Sequence, residues 1–233
     1  MKNIYYLFLF VILASCGDIS PKGEIAVKDV NVEDFSKIKL DGNFKVFVVR
    51  SDSNFVSVET YPNIFDNLKI NVKNRQLSIS EKRPAPDVDF YNITVYSHND
   101  ISDAQLSKKA ELNFSSEMKI DDFKLQLTHQ AKFIGSVQST RAEVKMTNSS
   151  RANVLGSTGT VKLTTADSAS VVAPYWFVGD LNVNQKNNSY AELSVSNKID
   201  GLVTDEAKLV YYGMPQKKVK LEKQAKITQK TNP

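Results

Sequence analysis

Ala110-Glu111-Leu112, Ala131-Lys132-Phe133, Ala152-Asn153-Val154, Ala169-Ser170-Val171, Ala191-Glu192-Leu193, Ala207-Lys208-Leu209 and Ala225-Lys226-Ile227 repeat one pattern seven times: alanine, a polar residue, an apolar residue. Successive alanines stand 21, 21, 17, 22, 16 and 18 residues apart. Alanine is the chosen anchor, so the independent test is the position two residues later, and it is apolar in all seven. At 41% hydrophobic composition chance gives that about once in five hundred trials. Between the triplets runs a second alternating stretch: Phe123-Lys124-Leu125-Gln126-Leu127, Ala142-Glu143-Val144-Lys145-Met146, Val161-Lys162-Leu163, Leu181-Asn182-Val183 and Val219-Lys220-Leu221. Each repeat of about 16–22 residues therefore carries two short strands and no helix. Such a unit cannot bury its apolar face alone and must stack on its neighbours, which predicts an all-β chain built as a β-solenoid. Alanine and the residue two later point inward, and the polar residue between them faces water. With strands ~4.8 Å apart, six or seven coils make a rod roughly 30 Å long. An antiparallel β-sandwich also gives short strands at regular spacing, but it has no reason to repeat one inward column seven times.

Upstream of the triplets the alternation continues. Phe44 to Val49, Phe55 to Glu59, Leu68 to Val72, Gln76 to Ser80 and Tyr91 to Tyr96 read as strands, with a hairpin turn at Lys73-Asn74-Arg75 and one helical turn near Ile64. The only long apolar run is Ile4 to Ala14, about half of the ~20 residues that span a bilayer. It reads as a secretory segment, and Leu13-Ala14-Ser15-Cys16 resembles the lipobox of bacterial lipoproteins, with the single cysteine placed for acylation. Acyl chains on Cys16 would hold the chain on a membrane. Gly17 rather than Asp follows the cysteine, which favours the outer membrane. The expected organisation is a lipoprotein signal peptide at 1–16, a flexible tether at 17–30, a β-rich N-terminal part at 31–97 and solenoid repeats at 98–230.

The opening Asp34-Phe35 to Asp41-Gly42-Asn43-Phe44-Lys45-Val46, then Asn67-Leu68-Lys69-Ile70 with Leu77-Ser78-Ile79-Ser80, and the seven triplets together resemble the putative auto-transporter adhesin, head GIN domain family. No literal Gly-Ile-Asn tripeptide occurs. The resemblance implies a right-handed β-helical body on a cell surface, an adhesive or binding role and no known active site.

Chemistry is scarce. One cysteine, two histidines and a net charge of +4 leave no internal disulfide, no His-centred triad and no charge that names a partner. The outward column Glu111, Lys132, Asn153, Ser170, Glu192, Lys208, Lys226 places no two carboxylates on adjacent rungs, so the acidic pairing of polysaccharide-cleaving β-helices is missing. Asp121-Asp122 and Ser97-His98-Asn99-Asp100 read as polar turns, and no metal, cofactor or nucleic-acid motif is present. Two stretches are candidate contacts. Tyr175, Trp176 and Phe177 form an aromatic cluster able to stack on sugar rings. Lys217, Lys218, Lys220 and Lys223 either meet an anionic surface or cap the last coil against end-to-end stacking. The expected function is a non-catalytic, lipid-anchored cell-surface module that binds a glycan or an envelope or matrix protein. The alternatives are a polysaccharide-acting β-helix enzyme and a self-associating envelope lipoprotein.

Overall fold

The structure is a computed structural model that describes residues 17–232, so Cys16 lies outside the described residues. In chain order the elements are β1 (Ala26–Asn31), β2 (Lys37–Gly42), β3 (Lys45–Arg50), β4 (Phe55–Thr60), α1 (Pro62–Asp66), β5 (Leu68–Lys73), β6 (Gln76–Glu81), β7 (Tyr91–Ser97), β8 (Asp103–Lys108) and β9 (Glu111–Phe114). They continue with β10 (Met118–Leu127), β11 (Lys132–Met146), β12 (Arg151–Thr165), β13 (Ser170–Gln185), β14 (Tyr190–Val203), β15 (Lys208–Tyr212), β16 (Gln216–Leu221) and β17 (Lys226–Lys230). The chain is a β-solenoid of about seven turns. From β8 onward every coil lies parallel to the next, because each long strand runs around most of one coil before the chain steps up. Strict alternation explains the burial: along β12, Ala152, Val154, Val161, Leu163 and Thr165 face inward and their neighbours face water.

Register corrects two of the seven anchors. Backbone hydrogen bonds from Lys132, Arg151, Ser170, Tyr190, Lys208 and Lys226 reach the carbonyls of Ala110, Ala131, Ser150, Ala169, Ser189 and Ala207 at 2.9–3.0 Å. The stacked column is therefore Ala110, Ala131, Ser150, Ala169, Ser189, Ala207, Ala225, with steps of 21, 19, 19, 20, 18 and 18 residues. Ala152 and Ala191 sit one inward position later, beside Phe133, Val171 and Leu209. A shift of two residues keeps the same face of a strand, which is why the apolar pattern survives the misplaced anchors. Ser150 and Ser189 fit the tight column because their hydroxyls are satisfied within it, Ser150 donating to the Thr147 carbonyl and Ser189 accepting from Thr165. Val171 stacks with Ala152 and Ala191, whereas Val154 and Leu193 sit one inward position further along their strands, and all three are buried.

The N-terminal part belongs to the same stack. β2 pairs in parallel with both β6 and β8, and β3 with both β7 and β9, so β2 and β3 lie inside the rod. The chain then builds one end through β4 to β7 and returns across β2 and β3 to start the regular coils. The antiparallel pairs β1–β4, β4–β7 and β5–β6 close that end. One hydrophobic core runs from Phe35 to Tyr211.

A flexible tether over 17–30 is not what the structure has. The Ile19 N–H donates to the Pro84 carbonyl at 3.0 Å, and Asn63 grips the segment at two points, accepting from the Lys22 N–H and donating to the Ser20 carbonyl at 2.8 Å each. Ile19 packs against the core and β1 lies along β4. The physical reason is local: Ile19 supplies an apolar contact and the β1 backbone pairs its N–H and C=O groups with β4, while Ile25 and Val27 stay exposed.

Candidate binding face

Along one flank, the parallel register stacks Lys119 on Gln138, Gln138 on Ser157, and Ser157 on Phe177. These side chains face outward at one per coil. The inward column beside them is Met118, Val137, Gly156 and Trp176. Trp176 is therefore not a surface residue: it is fully buried, and its indole N–H donates to Thr158 Oγ1 at 2.9 Å, which is in turn bonded to Ser139 Oγ at 3.0 Å. The expected aromatic contact must be corrected at this residue. Four residues separate Ala152 from Gly156, whereas five separate their partners Val171 and Trp176, so β13 carries one extra residue around Pro174. Such a bulge inverts the faces that follow it, here as far as Val178, and proline cannot donate to the ladder at that place. Tyr175 and Phe177 are left on the surface at 51% and 56% exposure.

Phe177 forms the wall between two depressions. On one side lies an open trough of about 710 Å³, lined by Lys119, Gln138, Ser139, Ser157 and Thr158. On the other lies a cleft of about 440 Å³ against Val178, Val195, Tyr212 and Met214, the last 91% exposed. Polar hydrogen-bonding groups and an apolar surface thus meet at one aromatic ring.

The lysines of the stretch are exposed and make contacts within the end coils. Lys217 falls on the inward parity above Ile199, and its ammonium lies 5.7 Å from the centre of the Tyr211 ring. Lys220 pairs with Glu222 at 2.6 Å and Lys223 with Asp205. Lys218 stands above Asp200, whose carboxyl is held below the usual range chiefly by Lys198. A charged residue on the inward column of an end coil opposes stacking of another rod on that end.

The remaining polar clusters are locked. Asp121 and Asp122 lie inside β10 rather than in a turn, and Asp122 makes a two-pronged pair with Arg141 at 2.6 and 2.8 Å that depresses its carboxyl pKa. Ser97 Oγ donates to the Asn99 carbonyl at 2.8 Å, and Asp100 pairs with Arg50. His129 occupies an exposed corner. Among the described residues no three His, Cys, Asp or Glu side chains gather as metal ligands.

The fold is shared with solved structures at low identity. An adhesin from Bacteroides fragilis, described as putative, superposes with a TM-score of 0.79 at 15% identity, covering 91% of this chain and 99% of that one. A protein from Parabacteroides distasonis described as a putative lipid binding protein gives 0.74 at 15% identity, covering 92% and 100%. A Parabacteroides merdae protein described as a putative adhesin gives 0.73 at 15% identity, covering 91% and 99%. No curated protein matches the chain. The match that reaches beyond fold runs over residues 34–215, from before β2 to the residue before β16, and by it the chain belongs to the family described as "Putative auto-transporter adhesin, head GIN domain".

Proposed function

We propose that this chain is a non-catalytic binding module of the bacterial cell envelope, anchored through acylated Cys16 to the outer membrane, and that it recognises a glycan along the column Lys119, Gln138, Ser157 and Phe177. The observation that carries the reading is the exposed Phe177 ring between a polar trough and an apolar cleft. An aromatic face stacks on the apolar C–H face of a pyranose while amide, hydroxyl and ammonium groups reach its hydroxyls. Because coils repeat every ~4.8 Å, an extended oligosaccharide lying along the rod meets one side chain per rung. The family's description as an adhesin head supports binding over catalysis. The Asp122 carboxylate, engaged by Arg141, supports it as well. The test is a glycan and envelope-component array probed with the body from Asp18 onward. Phe177→Ala should weaken the best ligand by ~1 kcal/mol or more, roughly fivefold, with unchanged thermal stability. Undiminished binding by this variant would move the site off the column, and turnover of any polysaccharide would replace the reading with an enzyme.

The cleft beside Phe177 favours one second reading, an acyl chain laid against Val178, Val195 and Met214. The Parabacteroides distasonis relative described as lipid binding supports it. Saturable uptake of a fluorescent fatty acid, abolished by Met214→Asp, would select it over the glycan.

A further inference from the structure

Only Gly17 and Asp18 stand between Cys16 and Ile19, and Ile19 is already hydrogen-bonded to Pro84 and packed against the core. Consecutive Cα atoms are 3.8 Å apart, so the docked Ile19 lies at most ~11 Å from the cysteine. The polar layer on each side of a bilayer is ~5–8 Å deep. Resting on the acylation of Cys16 given above, we propose that the end of the rod formed by residues 19–23, α1 and the loop at 82–90 sits directly on phospholipid headgroups. The body is thus a rod mounted on its end and not a head swinging on a leash.

Chain length, not charge, sets this contact. Exposed Lys22, Lys82 and Arg83 share the surface with exposed Asp18, Asp66 and Asp87, which leaves little net attraction to anionic lipid. Asn63 is the clamp that makes the linkage short, since its side chain holds both Ser20 and Lys22. Five rungs separate β7, at this end, from β13. Mounting the rod on its end therefore carries Phe177, the far end of its column, ~24 Å along the coil axis away from the lipid, clear of the headgroups.

The experiment uses the full-length acylated protein in vesicles of phosphatidylethanolamine and phosphatidylglycerol containing a headgroup nitroxide quencher. Pro86→Cys and Met214→Cys, both at exposed positions, each carry one fluorophore. The label at 86, remote from Cys16 in sequence, should be quenched several-fold more than the label at 214, and salt at ~0.5 M should not change the ratio. Inserting a Gly/Ser linker of ~12 residues between Asp18 and Ile19 should erase the difference. Equal quenching at both sites in acylated protein that floats with the vesicles overturns the end-on contact alone. Protein that does not float and carries an unmodified Cys16 by mass removes the anchor, and the contact falls with it.

Discussion

At the scale of single residues, the energetics turn on polar groups held against the core. The Glu192 carboxylate is only 12% exposed. Burial opposes its ionisation, but Lys230 Nζ at 2.8 Å and the Tyr190 and Tyr212 hydroxyls at 2.6 Å win, and its pKa falls from 4.5 to about 2. A folded pKa below the unfolded one contributes stability that is complete above pH 4.5 and is lost as pH falls toward 2. Glu192→Gln should therefore lower the melting temperature most above pH 5 and converge on the parent near pH 2. A gap of constant size across that window would show that the contacts do not depend on charge. Glu81 acts with the opposite sign, since burial raises its pKa, so the difference between parent and variant is the clean measure of Glu192. Gln185 is the reverse case: fully buried between Thr165 and Val203, with neither amide atom hydrogen-bonded to protein. An unmade buried hydrogen bond costs ~1–3 kcal/mol, so Gln185→Met should raise the urea midpoint with an unchanged slope. A lowered midpoint would reveal an ordered water completing the amide.

At the scale of elements, the corners and the bulge set the register. Lys108, His129, Asn148, Asp167, Asn187, Asp205 and Lys223 all take φ between 58° and 63°, two residues before each member of the alanine and serine column. Four of the seven are Asn or Asp, the non-glycine residues that best tolerate this conformation. Their side chains also tie successive coils: Asn148 Oδ1 accepts from the His129 N–H, Asp167 Oδ2 from the Asn148 N–H, and Asp205 Oδ2 from the Asn187 N–H. Asn148→Ala should cost ~1–2 kcal/mol, and Asn148→Gly, which removes only the side-chain bridge, less than half of that. Equal losses would assign the whole effect to the hydrogen bond. Inward positions such as Phe133, Val171 and Leu209 were legible because burial on a strand forces a period of two on the sequence. Ser150 and Ser189 were not, because a buried serine satisfied by a neighbouring carbonyl or hydroxyl looks polar until its partner is known. The Pro174 bulge hides for a deeper reason. One inserted residue reverses the faces from there to Val178, so Trp176 and Tyr175 exchange roles. The αL corners were the available signal that went unread, since their spacing is more even than that of the alanines.

At the scale of the whole molecule, stability should fall off toward the end that carries the lysines. In a solenoid each coil is held by its neighbours, so an end coil has half the interface of an inner one. β16 and β17 pair on one side only, with β14 and β15, and most of their side chains are exposed. β2 and β3 are the opposite extreme, each clasped between two parallel strands contributed by later parts of the chain. They cannot open without parting both neighbours. Native-state hydrogen exchange should accordingly show amides of β16 and β17 exchanging through local opening, with a small dependence on denaturant, while β2, β3 and β11 exchange only with global unfolding. Phe177 lies between these limits, in β13, one coil below β14 and the Tyr212 and Met214 wall of the cleft. A ligand seated on Phe177 adds a contact that the unfolded chain lacks and so stabilises the coils it touches. Saturating ligand should slow exchange in β10 to β13 and leave β14, β16 and β17 unchanged if it lies in the polar trough. It should instead slow β13, β14 and the residues around Tyr212 and Thr231 if it enters the apolar cleft. Uniform exchange from β2 to β17 would instead make the solenoid one cooperative unit, in which the end coils are as firmly held as the middle and the lysine-bearing end is a working surface rather than a frayed cap.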